Sequence, residues 1–166
     1  MAIVDGILPE WDHEMRTTRR LLDRVPDAEL GWKPHQKSMT LGGLATHLAN
    51  IPTWGLAILN DPAFDLATAP ANLQPMTTRA DVLQTFDRNV GAVRALLLGK
   101  TDPELLVPWT LKRANHELMT LPKIAAFRSF LLNHMIHHRG QLSVFLRLKD
   151  IPVPAIYGPS ADESPF

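Results

Sequence analysis

The sequence predicts an all-α protein, a four-helix bundle forming a single domain over residues 1–166. Three observations carry that prediction. Four segments repeat apolar residues at the three-to-four-residue period of a buried helix face. At 166 residues the chain is long enough to enclose a core without covalent staples. Its composition, 45% apolar and 20% charged, is that of an ordinary globular chain rather than a disordered one.

The first helix is expected from about Leu8 to Arg24, because Pro9 suits a first helical turn and Pro26 lies just past the end. Leu8, Trp11, Met15, Leu22 and Val25 form its apolar line, and His13 joins Glu10, Arg16 and Arg20 on a charged face. After a loop with Trp32 and Pro34, the second helix is expected from about Thr40 to Leu59. It carries Leu44, His47, Leu48, Ile51, Trp54 and Ile58 along one side. Pro52 cannot donate to the Leu48 carbonyl, so a kink is expected one turn beyond His47. The stretch from Asp61 to Met76, with Pro62, Pro70 and Pro75, reads as a linker inside the domain.

The third helix starts near Thr78, a capping residue with Asp81 in the first turn behind it. It presents Val82, Phe86, Val90, Val93 and Leu97 to the core and ends around Gly99. From Leu105 to Leu121 the helical period fails, and two apolar stretches flank polar Lys112 to His116. That pattern predicts a short hairpin or extended excursion before the last long helix. The fourth helix is expected from about Pro122 to Lys149. Beyond Ile151, prolines 152, 154, 159 and 165 exclude a helix, so the tail should lie along the bundle.

Composition also excludes function classes. Seventeen basic and seventeen acidic side chains cancel, which argues against nucleic-acid and anionic-membrane partners. The absence of cysteine excludes disulfides, thiolate ligands and a protein-borne sulfur nucleophile. Met1 to Glu10 lacks the basic stretch and apolar core of a signal peptide. No apolar run approaches the roughly 18–20 residues that span a bilayer. A cytoplasmic protein is the expectation.

The fourth helix carries the chemistry. At 100° per residue, Ile124, Phe127, Leu131, His134, His138, Leu142 and Phe145 share about 80° of arc, with both histidines at its centre and Arg139 pointing away. His137 falls at the edge of the stripe. An unpaired buried polar group costs roughly 1–3 kcal/mol, so two inward imidazoles need a reason that leucine would not. One metal ion satisfies an acceptor nitrogen on both rings, and a bundle can add a ligand from a facing helix. His47, the only histidine on the apolar side of the second helix, is the best candidate for that ligand. A lone inward histidine is more often a hydrogen-bonded core residue; the i, i+4 pair with a third on another helix is what points to metal. His13, His35 and His116 read as surface or loop residues. A zinc-protease reading of H-x-x-x-H fails, because Met135 stands where the glutamate base must follow the first histidine.

His47 in Gly-Leu-Ala-Thr-His-Leu, followed far downstream by His134-Met-Ile-His-His138-Arg-Gly-Gln141, resembles the DinB-like (DinB/YfiT-like) metalloenzyme family. The early Leu30-Gly-Trp-Lys-Pro34 and the ending Pro154-Ala-Ile-Tyr157-Gly-Pro-Ser-Ala-Asp-Glu163 are similar to that family as well, so the resemblance spans the chain. It implies a four-helix bundle with up-down-down-up connectivity and one divalent metal ion, zinc or nickel, on His47, His134 and His138. It implies a homodimer too, and a thiol-dependent transferase or isomerase using a low-molecular-weight thiol.

Three neutral ligands leave an ion its full charge and an open position, the arrangement of catalytic zinc sites. With no cysteine in the chain, sulfur chemistry requires an external thiol as small-molecule substrate. A metal-dependent thiol transferase is therefore the leading expectation. A hydrolase using metal-bound hydroxide and a non-enzymatic protein with a structural metal are the alternatives. Around the ligands, Trp54 is a candidate pocket wall, Asn50 could orient a ligand, and His137 and Gln141 are placed to support the ligands from behind. Tyr157 could close the mouth. No inward-facing Asp or Glu stands out as a general base.

Overall fold

A computed structural model of the chain describes residues 1–68 and 74–164. Pro70 and Pro165 lie outside the described residues. Helix α1 (Ile3–Leu22) begins earlier than expected. Its first turn is held by carboxylates: Asp5 accepts from the Ala2 N–H at 2.8 Å, and Asp102 accepts from the Ile3 N–H at 2.8 Å. Pro9 consequently sits inside the helix rather than in its first turn, at an exposed position where water can serve the carbonyl it leaves unpaired.

At the expected kink at Pro52 the hydrogen-bond ladder is interrupted, dividing the second segment into α2 (Leu41–Asn50) and α3 (Thr53–Asn60), while Ile51 and Pro52 keep helical dihedrals. Side chains repair the interrupted ladder. The Ala49 carbonyl accepts from buried Asn89 Nδ2 at 2.9 Å, and the Asn50 carbonyl accepts from Thr53 Oγ1 at 2.7 Å. Thr40 caps α2, its hydroxyl accepting from the Gly43 N–H at 3.0 Å. Thr78 caps α4 (Arg79–Leu98) in the same way, from the Asp81 N–H at 3.1 Å.

The region expected as a linker contributes a short strand, β1 (Ala63–Asp65). It pairs in parallel with β2 (Pro108–Arg113), which pairs antiparallel with β3 (His116–Pro122), so the expected hairpin belongs to a three-stranded sheet. A short helix, α5 (Asp102–Leu106), precedes it.

The last helical segment is not uniform. After α6 (Lys123–Ala126) comes a π-helical turn, Phe127–Leu132, and then α7 (Asn133–Leu148). A π turn takes one extra residue, so an ideal-helix projection across it is out of phase by about 100°. The buried stripe of α7 is therefore Met135, Arg139, Leu142 and Leu146, and half-buried His134 and His138 lie about a quarter turn to one side. This corrects the expectation that the histidines occupy the centre of the core stripe and that Arg139 points away from it.

α1 and α2 each pack on both α4 and α7, while α3 packs on α4 and the π turn. Trp54 meets Phe130 and His134, His47 meets His138, and Trp32 meets Phe145, so α2–α3 runs antiparallel to α7. Gly55 permits the close approach: a Cβ there would stand 2.9 Å from Val93 Cγ1 and 3.1 Å from Leu131 Cδ1. Beyond α7 the tail lies on α1 and α7, tied by the Arg20–Glu163 and Arg147–Asp162 ion pairs. Among the described residues, no helix is long and apolar enough to cross a membrane.

Candidate metal centre

His47 occupies the last turn of α2, where the partial negative charge of the helix end favours a nearby cation. His134 and His138 stand one turn apart on the facing side of α7. Their rings meet edge to face, with centroids 5.3 Å (His47–His134), 4.5 Å (His47–His138) and 4.4 Å (His134–His138) apart. His134 Nε2 lies 3.1 Å from His47 Nε2 and 3.0 Å from His138 Nε2. Two imidazole nitrogens at ~2.0–2.1 Å from one metal ion stand about 3.3–3.4 Å apart at a tetrahedral angle and about 2.8–3.0 Å apart at a right angle, so the observed 3.1 and 3.0 Å lie in the range of a shared divalent ion.

The rings are also in the right charge state. Burial pushes His47 down to about 4, with a smaller contribution from His138. Burial and the neighbouring histidines push His134 down to about 4 as well. His138 is lowered by burial, partly offset by its bond to Gln141. All three are neutral at pH 7, and a neutral imidazole offers one nitrogen lone pair to a metal. The Gln141 side chain decides which nitrogen on His138. Its Oε1 lies 2.7 Å from Nδ1, so Nδ1 carries the proton and Nε2 faces the other two rings unprotonated. No carboxylate joins this group among the described residues; the ligand set is histidine alone.

Trp54 and Phe130 form one wall. They stack with centroids 5.0 Å apart, and Trp54 lies 4.8 Å from the His134 ring and 5.9 Å from that of His47. The remaining sequence-predicted residues are placed less directly. His137 is exposed on the outer rim, its ring 5.0 Å from that of His138. Asn50 bonds back to the Thr46 carbonyl of its own helix at 2.8 Å. Tyr157 bonds to Glu14 and Arg139 rather than to any of the three histidines.

That last contact belongs to a second cluster. Arg139, 1% exposed, places Nη2 2.6 Å from Glu14 Oε2 and donates through Nη1 to the Glu14 carbonyl at 3.1 Å and to Thr18 Oγ1 at 3.3 Å. The Tyr157 hydroxyl reaches both Glu14 oxygens, at 3.0 and 2.9 Å. Sequence reasoning singled out no inward acidic residue as a general base; Glu14, 5% exposed, does turn inward, but it is engaged by Arg139 and Tyr157 rather than by the three histidines. A signal existed: Glu14 and Thr18 fall within about 60° of Trp11 on the buried side of α1.

Comparison with known proteins agrees with this architecture. The DinB family model matches residues 4–165. The uncharacterized protein YrdA of Bacillus subtilis (strain 168) is 31% identical over 163 residues, covering 96% of this chain and 91% of that protein. The fold is shared with a DinB-like protein from Bacillus cereus ATCC 10987, at a TM-score of 0.72 and 23% identity over 94% of this chain and 98% of that one. It is also shared with the DinB-like protein YjoA of Bacillus subtilis, at a TM-score of 0.68 and 20% identity over 97% and 96% of the two chains.

Proposed function

The chain belongs to the DinB family, and on that footing we propose that it is a metal-dependent enzyme transferring a small external thiol to an electrophile. The observation that carries this reading is the convergence of three neutral imidazole nitrogens with no carboxylate among them. Zinc or nickel held by His47, His134 and His138 keeps its full positive charge and favours a thiolate over the weakly nucleophilic thiol. The chain contributes the rest. Gln141 fixes the His138 tautomer, and Trp54 and Phe130 exclude water from one side of the centre. With no cysteine in the chain, the attacking sulfur comes from the substrate. Its proton leaves to solvent, its lone pair forms the new bond to the electrophilic carbon, and the bond from that carbon to the leaving group breaks, the leaving group departing with the electron pair and taking a proton from solvent. A cytoplasmic homodimer is part of the same proposal.

The test begins with elemental analysis of tag-free protein beside a His134→Ala/His138→Ala variant, expecting about one metal per chain and none in the variant. Metal-loaded protein is then assayed with several low-molecular-weight thiols and an electrophile. Turnover above the His138→Ala background supports the transferase. Its absence, with hydrolysis of small esters or amides instead, replaces it with the hydrolase.

A further inference from the structure

We propose that the buried Glu14–Arg139 pair, with the hydroxyl of exposed Tyr157 bonded to it, is a positioning device for the histidine centre. It fixes the rotation of α7 about its own axis and, through Tyr157, makes that rotation depend on docking of the C-terminal tail. The inference rests on the reading of the three histidines as a metal centre.

Arg139 is the peptide neighbour of His138, and its side chain is the only charged one in the buried stripe of α7 among the described residues. The other members, Met135, Leu142 and Leu146, are apolar, and apolar contacts tolerate a helix turning by several degrees. A planar guanidinium holding a carboxylate, a backbone carbonyl and a threonine hydroxyl at once does not. Stability alone is a poor reason for the pair, because well-packed apolar residues in place of a buried ion pair are often as stable or more so. Orientation is the better reason. The π turn ends at Leu132, directly before the helix bearing both ligands, so α7 does not inherit its phase from a regular ladder upstream. His134 and His138 are thus bracketed by an irregular turn on one side and a polar anchor on the other. A rotation of roughly 15° would swing an imidazole nitrogen by about 2 Å, given the reach of a histidine from the helix axis. Metal ligands tolerate about 0.2 Å.

Tyr157 brings the tail into this arrangement. Its hydroxyl bonds both to Glu14 and to Arg139 Nη2, and the segment carrying it is tied to α1 by Arg20–Glu163 and to α7 by Arg147–Asp162. If tail docking tightens metal binding, metal loading must protect the tail by the same factor.

Zinc affinity of the full chain, measured by competition with a chromogenic chelator, tests this beside two variants. Tyr157→Phe removes the hydroxyl and keeps the ring. Glu14→Leu/Arg139→Met replaces the ion pair with apolar volume. The expected result is an almost unchanged melting temperature in both, with zinc binding about tenfold weaker and altered d–d bands in the cobalt-loaded forms. Zinc should also slow proteolysis of the wild-type tail. Wild-type zinc affinity and cobalt spectra in the variants would overturn the proposal and leave the cluster a purely structural one. Should the double variant fail to fold, Tyr157→Phe decides by the same criteria. A wild type that takes up no zinc or cobalt would overturn the metal reading itself, and the inference with it. Unchanged variants of a wild type that does bind sink the positioning role alone.

Discussion

His138 and Arg139 are adjacent in the chain, yet they belong to two polar clusters resolved in opposite ways. Around Arg139, cation, carboxylate, phenol and threonine pair donor to acceptor, and the cluster needs nothing from outside the protein. Around His138, three rings aim the same kind of atom at one another, and with Nδ1 of His138 protonated its Nε2 can only accept. The Glu14–Arg139 pair is buried and the histidine rings only half-buried, and the two clusters also differ in how donors meet acceptors. The first cluster reads as architecture; in the second, either a ring N–H on His134 or His47 or a metal ion can satisfy the converging nitrogens, so it has room for a partner atom.

The sharpest way to break this contrast is to unbalance the balanced side. Arg139→Ala strands the Glu14 carboxylate in the core, so the protein should lose about 3–5 kcal/mol in urea or thermal unfolding. A loss under 1 kcal/mol would show the pair to be dispensable. Next in size is the partner atom. Zinc at ~100 times its dissociation constant should stabilise the wild type by about 2.7 kcal/mol and leave His134→Ala/His138→Ala unmoved. Equal shifts in both would place the ion elsewhere. Gln141→Ala, which frees the His138 tautomer, should weaken zinc binding about tenfold, or ~1.4 kcal/mol, in a chelator competition. The smallest effect is in the metal-free protein. His47 and His134 have folded values of about 4, below the ordinary histidine value of 6.5, so the unfolded chain binds protons more readily. Stability should be fully present above pH 6.5 and decline as pH falls from 6.5 toward 4. The rings are half-exposed and screened, so the slope is shallow. It should flatten in His134→Leu/His138→Leu; a slope unchanged there would locate the titration in other groups.

Much of this was legible in the sequence, and the largest failure has one physical source. The four apolar periods marked the helical segments, Thr78 marked the start of α4, and the loss of period from Leu105 marked the strands. Which histidines cluster also followed, since His47, His134 and His138 are the ones on inward or near-inward faces of two segments. What sequence could not supply was the phase of the last helix. Projecting an ideal helix from Ile124 and Phe127 through the π turn displaced every residue beyond it by about one position's rotation. That single error moved the histidines to the centre of the core and Arg139 to the outside. Periodicity is local, whereas a π turn depends on its surroundings; here Phe127 packs against Trp11 and Phe130 stacks on Trp54. The strand at Ala63–Asp65 escaped for a similar reason, being too short to carry a period and fixed by pairing with β2.

The break at Pro52 separates His47 of the histidine cluster from the wall beside it. His47 ends one helix and Trp54 begins the next, each with its own repaired backbone. Substitutions on α3 can therefore reshape the Trp54 side of the histidine cluster while His47 on α2 keeps its place.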